Sequence, residues 1–251
     1  MPLLSVIIIT KNEAHNIEDC LKSVAFADEI IVFDSGSTDK TVELCRLYTD
    51  KVFITDWPGY GEQKQRALEA STGEWVLSID ADERVTPQLK EEIVSQISPS
   101  THFDAFEITF SSEYCQKVIR FGDWWHDSQA VLFRRKKARF ISRLAHERIE
   151  IQGEIGKLKG KIHHLAYPNL HLVLKKMNDY SSLGAEQKHL QGAKSGLFKA
   201  IFRGLWTFVR GYIFRLGFLD GKEGFLLAFS NAEGTYYKYV KLMYLNKANA
   251  S

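Results

Sequence analysis

Residues 4–10 read Leu-Ser-Val-Ile-Ile-Ile-Thr, and the polar sequence Lys-Asn-Glu follows at residues 11–13. A continuous apolar run rich in β-branched residues is typical of a strand that is buried on both faces. The run is too short to cross a bilayer, and it lacks the basic start and the cleavage site of a signal peptide. We therefore interpret it as a buried strand of a cytoplasmic protein.

Strand-like and helix-like segments alternate through the first hundred residues or so. The spacing of apolar residues predicts strands at 29–34, 51–55 and 74–80, and helices at 13–24, 41–48 and 62–70. A further helix starts at Thr86-Pro87, where a capping residue precedes a proline. Repeated βα units indicate a parallel sheet with helices on both faces. We therefore predict an α/β fold with a mostly parallel central sheet.

The pattern changes after residue 103. Residues 104–166 contain strands with irregular connections, which indicates an antiparallel addition to the sheet, and residues 167–251 have a helical pattern. We therefore expect a βα region at 1–103, a strand-rich region of the same domain at 104–166, and a helical C-terminal extension at 167–251.

Composition excludes several classes of protein. The formal net charge of +2 leaves no overall electrostatic footprint for nucleic acid. Cys20, Cys45 and Cys115 are far apart and form no CxxC pair, which argues against a disulfide framework or a structural zinc site. We interpret them as small buried residues of a protein in a reducing compartment.

Polar residues at strand ends are the first candidates for chemistry, because ligands of parallel α/β sheets bind there. Asp80-Ala81-Asp82-Glu83 comes at the end of the predicted strand at 74–80. Two carboxylates separated by one residue can hold Mg²⁺ or Mn²⁺, with phosphates and water as the other ligands. Such a cation neutralises charge on a departing diphosphate. The alternative is a solvated acidic loop, which a buried preceding strand disfavours.

The strand at 29–34 ends in a second polar run, which extends from Asp34 to Thr41. Helix capping and turn formation account for Ser37 and Asp39 in this run. They do not account for Asp34, whose carboxylate can accept a hydrogen bond from a nucleobase.

The first strand leads into Thr10-Lys11-Asn12-Glu13. In one interpretation Asn12 caps the next helix and Glu13 lies in its acidic first turn. In the other, Thr10 and Glu13 lie at the edge of a bound nucleoside. The residues alone leave both interpretations open.

Three sequences together, SVIIITKNE at 5–13, EIIVFDSGSTDKT at 29–41 and EWVLSIDADE at 74–83, resemble the family-2 inverting glycosyltransferases of GT-A fold. The resemblance covers roughly the first hundred residues and implies a UDP-sugar donor. The donor-binding residues that it implies are Thr10, Glu13, Asp34, Lys64, Asp80, Ala81 and Asp82. It also implies Mg²⁺ or Mn²⁺ at Asp80 and Asp82. The alternative for Lys64, in YGEQKQRAL, is a solvated helix face.

The middle of the chain resembles a bacterial subgroup that elongates the lipopolysaccharide inner core. The resemblance rests on FGDWWHD at 121–127, AVLFRR at 130–135 and the pair His146-Glu147. This chain has His126 where the subgroup usually has Pro, and Val131 where it usually has Arg. The resemblance implies a heptose-type core acceptor that residues 104–166 bind through Trp124 and Asp127. It also implies glucose as the sugar; another surface glycan is the alternative acceptor.

Inversion requires one general base that takes the proton of the acceptor hydroxyl. The resemblance implies Glu147 for this role, with Asp127 as the second choice. The alternative for Glu147 is an ion pair with a neighbouring arginine. His163 and His164 can supply a metal or phosphate contact, but adjacent residues of a strand face opposite ways, so at most one serves.

The C-terminal region is basic and aromatic. Residues 187–219 contain six Lys or Arg and no Asp or Glu. Lys199, Arg203 and Arg210 fall within about 40° of one another on a helix. Charges interrupt the apolar residues too often for a membrane span, so we expect an amphipathic helix at an anionic membrane surface. A lipid-linked oligosaccharide acceptor at the inner face of the inner membrane requires such a position. The alternative is a helix packed on the catalytic domain.

Three other classes compete with a glycosyltransferase. A nucleotidyltransferase normally has a basic, Gly-rich phosphate loop after its first strand, which TKNEAHN is not. A glycoside hydrolase needs paired carboxylates across a sugar and no nucleotide site. A non-catalytic module that binds nucleotide-sugar or membrane would not need both Asp80 and Asp82. The sequence leaves the donor sugar, the acceptor residue, the linkage and the oligomeric state open.

Overall fold

The computed structural model describes residues 3–98, 101–125, 127–141 and 148–248. The chain forms two compact units, which comprise residues 1–111 with 126–164, and residues 112–125 with 165–251. The predicted helical extension therefore shares its unit with a short segment from the middle of the chain. The sequence pattern did not indicate that long-range association.

One half of the main sheet is parallel. Its strands are β1 (Leu4–Thr10), β2 (Glu29–Asp34), β3 (Val52–Ile54) and β4 (Trp75–Asp80). They lie in the order β3-β2-β1-β4, and each adjacent pair is parallel. All seven residues of β1 are buried, as its continuous apolar run predicts.

The other half of the main sheet contains antiparallel strands. The remaining strands are β5 (Glu83–Val85), β6 (Ala105–Tyr114), β7 (Lys117–Val118), β8 (Ser128–Arg134), β9 (Ala138–Ile141), β10 (Arg148–Ile151) and β11 (Ile155–Tyr167). The order continues from β4 through β8, β6 and β11 to β5, while β9 and β10 form a separate two-stranded sheet. β8 is antiparallel to both β4 and β6, and β11 is antiparallel to β5. The antiparallel addition expected from the sequence is therefore present.

The helices of the first unit are α1 (Ile17–Ser23), α2 (Thr41–Cys45), α3 (Tyr60–Ala70) and α4 (Pro87–Gln96). α4 begins where predicted, and the hydroxyl of Thr86 accepts a hydrogen bond from the backbone N–H of Leu89. α1 begins later than predicted, and its N-cap is Asn16. Of the two interpretations that the sequence left open, the helix cap at Asn12 is wrong, because Asn12 has a left-handed φ of 55° and its side chain accepts a hydrogen bond from the Thr38 N–H.

Alternate residues of β1 belong to two apolar clusters. Val6 packs in one cluster with Leu21 of α1, whereas Ile7 packs in the other with Leu68 of α3. Full burial of an aliphatic side chain contributes roughly 1.5–3 kcal/mol. These clusters fix the orientation of β1, and hence the position of the polar loop that follows it.

The second unit contains the helices α5 (Leu170–Leu190), α6 (Leu197–Val209) and α7 (Gly221–Ala248). α5 and α6 both pack against α7. The side chain of Asn169 caps α5 by accepting a hydrogen bond from the N–H of Leu172 at 3.0 Å. Within the described ranges, none of the helices combines the length and the apolarity that crossing a bilayer requires.

Candidate active site

Three of the predicted donor-binding residues end neighbouring strands of the parallel half-sheet. Thr10 ends β1 and lies opposite Asp34, which ends β2; Asp80 ends β4 and lies opposite Ile9. The carboxyl ends of parallel strands share one edge, so the three residues come to that edge. The hydroxyl of Thr10 is buried and has no hydrogen-bond partner among the described residues. A buried polar atom without a partner is costly, which makes this hydroxyl a candidate for ligand contact.

Hydrogen bonds join the loop after β1 to the loop after β2. The N–H of Asn12 donates to the hydroxyl of Ser37 at 2.7 Å, and the N–H of Thr38 donates to Asn12 Oδ1 at 2.8 Å. The N–H of Glu13 donates to Thr41 Oγ1 at 2.8 Å. Asn12 is therefore held by the second loop and Glu13 by the first residue of α2, which fixes the segments after β1 and β2 as a unit.

The carboxylate of Asp34 organises its own loop. Its Oδ1 accepts from the N–H groups of Gly36 at 3.0 Å and Ser37 at 2.8 Å, and its Oδ2 accepts from the Ser37 hydroxyl. The side chain is fully buried. Loop formation therefore accounts for Asp34 as well as for Ser37, whereas from the sequence we expected it to account for Ser37 and not for Asp34. A nucleobase contact of Asp34 stays a prediction.

Lys64 of α3 is buried and faces the end of β4. Its Nζ lies 2.9 Å from Oδ1 of Asp80. The alternative of a solvated helix face is therefore wrong. α3 follows Gly59, whose φ of 109° is a conformation that favours glycine, so this turn sets the start of the helix. The pair places a positive charge next to the end of the parallel half-sheet.

Gln63 is a site residue that the sequence pattern did not reveal. Its side chain is fully buried, and its Nε2 donates to Ser35 Oγ at 3.1 Å and to Thr55 Oγ1 at 2.8 Å. Its Oε1 has no partner within the described part of the chain. Gln63 thus links α3 to the loops after β2 and β3, and it offers a free acceptor beside Lys64.

A cluster of three ligand-type residues follows β4. One side-chain oxygen or nitrogen atom from each of Asp82, Glu83 and His164 lies within 4.8 Å of the other two. Oδ2 of Asp82 is 3.5 Å from Nε2 of His164. Glu83 pairs with His164 in the register of β5 and β11, and its carboxylate accepts from the N–H of Asp80 at 2.9 Å. The pairing of β5 with β11 therefore builds the cluster.

The electrostatics of this cluster reflect its burial and its excess of carboxylates. Burial, followed by the negative charge of Asp80, raises the pKa of Glu83 to about 8. Burial lowers the pKa of His164, but a hydrogen bond to Asp82 and the surrounding carboxylates outweigh that effect, so its pKa is raised. The raised pKa values show that the crowded carboxylates favour added positive charge, which protons or a bound cation can supply.

The donor set fits a divalent cation. Two carboxylates and an imidazole at this separation are suitable ligands for Mn²⁺, and the carboxylates also suit Mg²⁺. The cluster shares Asp82 with the metal pair that we predicted, but it contains Glu83 and His164 in place of Asp80, whose Oδ1 is paired with Lys64. A metal contact of Asp80 stays a prediction. Ala81, which separates Asp80 from Asp82 in the sequence, is buried, and its carbonyl accepts a hydrogen bond from Arg84.

The predicted acceptor and base residues lie in different parts of the chain. Asp127 is in the first unit, where the surrounding protein raises the pKa of its carboxyl and the charge of His164 opposes that shift. Trp124 is in the second unit, where its ring stacks on Tyr167 at a centroid distance of 5.7 Å. Glu147, the predicted base, lies outside the described residues.

A family model described as glycosyl transferase family 2 matches residues 5–152. The chain belongs to this family. Family-2 membership makes the protein a glycosyltransferase, and it excludes the nucleotidyltransferase and the glycoside hydrolase as competing classes. The predicted GT-A α/β fold class is also confirmed.

Relatives of this family-2 glycosyltransferase align over nearly its whole length. An uncharacterized glycosyltransferase of Rickettsia prowazekii is 31% identical, and the alignment covers 96% of this chain and 87% of that protein. The lipopolysaccharide core biosynthesis glycosyltransferase LpsC of Rhizobium meliloti is 30% identical, with coverage of 94% and 93%. The crystal structure of S. aureus TarS 1-349 in complex with UDP-GlcNAc has a TM-score of 0.51 at 17% identity, with coverage of 99% and 87%, which supports the fold.

Proposed function

We propose that this family-2 glycosyltransferase transfers a hexose, with glucose expected, from a UDP-sugar to a hydroxyl of a heptose-type sugar in a lipopolysaccharide core, with inversion. The observation that carries the proposal is the set of polar residues at the carboxyl ends of the parallel strands. Three features lie at the ends of β1 and β4: the Thr10 hydroxyl, which has no partner in the described part of the chain, the Lys64–Asp80 pair, and the cluster of Asp82, Glu83 and His164. The similarity to LpsC supports the choice of acceptor class.

The nucleoside part of the donor would bind at the ends of β1 and β2. Thr10 can donate its buried hydroxyl, and Glu13 and Asp34 lie in the two loops that Asn12 and Ser37 join. The hydrogen bonds that bind Asp34 to its loop hold that loop in place before the donor arrives. Preorganisation of this kind reduces the entropic cost of binding.

The diphosphate would bind near Asp80, Ala81 and Asp82. Lys64 supplies a positive charge there, which offsets the carboxylates when a polyanionic ligand approaches. Asp82, Glu83 and His164 would hold Mg²⁺ or Mn²⁺, with Asp80 as a further candidate ligand. A bound divalent cation would stabilise the negative charge on the departing UDP.

The acceptor hydroxyl would lose its proton to a carboxylate. Glu147 is the proposed base and Asp127 the alternative, because the other carboxylates of the edge have partners in the structure: Asp34 in its loop, Asp80 at Lys64, and Asp82 at His164. A carboxylate that binds a cation is a poor base, because the cation lowers its pKa. Trp124 would contribute a face for the acceptor sugar.

The acceptor is proposed to be lipid-linked, so the enzyme would act as a peripheral protein on the inner face of the inner membrane. The basic composition of residues 187–219 supports contact with anionic lipid.

A panel of UDP-sugars tests the proposed function, with purified lipopolysaccharide core and, separately, other surface glycans as acceptors and with Mn²⁺ present. We expect one UDP-hexose to give a core product enlarged by one hexose, with the anomeric configuration inverted. Transfer only to another surface glycan would overturn the acceptor class. Binding of UDP-sugar without transfer to any glycan would favour a non-catalytic module.

A further inference from the structure

The solvent-facing side of α6 is apolar. Phe198 is 90% exposed and Phe202 is 66% exposed, and Leu205 and Trp206 are exposed beside them. At 100° per residue, the exposed apolar side chains from Leu197 to Trp206 span about half of the helix circumference. An amphipathic helix of a globular protein normally buries its aromatic face, and α6 does the opposite.

The buried side of α6 consists of small residues. Ala200, Gly204 and Thr207 are buried, and a Cβ added at Gly204 would lie 3.1 Å from the Cβ of Tyr236 on α7. The two helices therefore approach each other closely along the small side of α6. The exposure of the aromatic side follows directly from this packing.

The apolar surface continues beyond α6. Trp206 contacts Phe214, whose side chain is exposed, and Phe208 contacts Phe225 of α7. Phe225 stacks on Phe229, and both are exposed. We call this region the aromatic surface; its members are Phe198, Phe202, Leu205, Trp206, Phe214, Phe225 and Phe229. Contiguous exposed apolar surface of this kind marks a site of interaction with protein or membrane.

Two positive charges lie next to the aromatic surface on α6. Lys199 and Arg203 are exposed on α6, and around the helix circumference they lie directly beside the exposed apolar side chains. Arg210, which we predicted to join them, is instead bound to Asp123, with Nη2 to Oδ1 at 3.0 Å. The predicted stripe is therefore corrected to two residues, because the guanidinium of Arg210 is turned to Asp123, which it shares with Arg215.

We propose that the aromatic surface inserts into the interface of an anionic bilayer, with Lys199 and Arg203 at the level of the headgroups. The inference rests on the proposed function and specifies the segment that would hold the enzyme where a lipid-linked acceptor lies. Charge complementarity favours lipid over a second copy of the chain. Exposed Lys199 and Arg203 attract anionic headgroups, whereas the same patch of a second copy would present the same two basic residues.

The test measures insertion and affinity separately. Vesicles of phosphatidylcholine with about a quarter phosphatidylglycerol, prepared with and without brominated acyl chains, are mixed with wild type and with Trp206→Phe. We expect brominated lipid to quench wild-type fluorescence, and the quenched fraction to fall in Trp206→Phe. In co-sedimentation, Phe198→Ser/Phe202→Ser should lose at least about tenfold in affinity for the anionic vesicles.

Two variants control for surface apolarity and for charge. Leu47→Ser changes a residue of the first unit that is 75% exposed, and it should bind vesicles as wild type does. Lys199→Gln/Arg203→Gln should lose roughly fivefold per charge on anionic vesicles and change little on neutral ones. Calorimetric titration of UDP into each variant checks that the first unit is intact.

Three results would overturn the proposal. The first is a wild type that binds neither anionic nor neutral vesicles. The second is a Leu47→Ser variant that loses as much vesicle affinity as Phe198→Ser/Phe202→Ser. The third is a wild type that is a dimer and binds no vesicles, and that Phe198→Ser/Phe202→Ser converts to a monomer. A wild type that binds vesicles but transfers no sugar would contradict only the proposed function.

Discussion

The ammonium group of Lys64 lies 2.9 Å from the carboxylate of Asp80, and only 11% of the lysine side chain is exposed. Lys22 and Glu18 form a pair of the same length at the surface, with 56% of that lysine side chain exposed. Exposed pairs contribute little to stability, whereas a buried charge requires a partner. The two pairs therefore allow the same substitution to be compared in two environments.

The first prediction concerns the charge of Lys64. Lys64→Met leaves the carboxylate of Asp80 without its partner and removes the cation that the UDP diphosphate would meet. We expect UDP affinity to fall at least about tenfold, which corresponds to about 1.4 kcal/mol. Isothermal titration calorimetry with Mn²⁺ present measures this, and Lys22→Met should stay within about twofold of wild type. Equal affinities of the two variants would remove Lys64 from the donor site.

The second prediction concerns the general base. Glu147→Gln keeps the size of the side chain and removes its basicity, so transfer should fall by about 10²–10⁴-fold, or about 3–5 kcal/mol of barrier. UDP affinity should stay within a few-fold of wild type. Asp127→Asn should cost less, because we assign Asp127 to acceptor positioning.

Steady-state rates with a core acceptor distinguish the two carboxylates. If Glu147→Gln keeps more than about a tenth of the wild-type kcat and Asp127→Asn does not, Asp127 is the base. A raised KM with unchanged kcat in Asp127→Asn would support a binding role for that residue.

The third prediction concerns acid stability. The carboxylate of Glu29 is buried, which by itself raises its pKa, but hydrogen bonds from Lys51, Ser5 and Thr72 outweigh burial and lower the pKa to about 2. A carboxyl whose pKa is lowered by folding stabilises the protein above its unfolded pKa, near 4.5, and loses that contribution as pH falls towards the folded value.

Urea unfolding of wild type and Glu29→Gln at several pH values measures this contribution. We expect wild type to be more stable by roughly 1–2 kcal/mol at pH 7, since solvent screens the half-exposed Lys51, and the difference to shrink below about pH 4.5. Glu69→Gln serves as an exposed control and should show no such trend. A difference between wild type and Glu29→Gln that stays constant with pH would contradict the assignment.

The parallel half of the fold could be predicted because its strands are continuous apolar runs. β1 and β2 begin and end where the sequence predicted, and β4 begins one residue later. β5 is only three residues long and pairs with β11, which follows about 80 residues later, so no local pattern indicates it. The cluster of Glu83 and His164 depends on that pairing, so the sequence offered His163 and His164 as metal contacts without indicating Glu83 or which histidine joins it.

The loop residues show a different limit. Asn12 has the composition of a helix cap, but its left-handed backbone turns its side chain to Thr38 of another loop. The structural role of Asp34 could not be predicted, because its carboxylate binds backbone N–H groups, which are the same at every position and leave no sequence pattern. The apolar and basic pattern of α6 could be predicted from helical spacing. The ion pair of Arg210 with Asp123 could not, because it joins residues 87 positions apart.

We propose that Asp82, Glu83 and His164 hold the cation that UDP binding requires. The most direct measurement is calorimetric titration of UDP into wild type, Asp82→Ala, His164→Ala and His163→Ala, each with Mn²⁺ and with EDTA. His163 is the matched control, because it lies next to His164 on β11 and pairs in register with Arg84 instead of Glu83.

If the cluster holds the cation, wild type and His163→Ala bind UDP tightly with Mn²⁺ and weakly in EDTA. Asp82→Ala and His164→Ala then bind UDP weakly under both conditions, with a loss of at least about tenfold. UDP binding by wild type that is equally tight in EDTA, or Mn²⁺-dependent binding that survives in both Asp82→Ala and His164→Ala, would contradict the proposal.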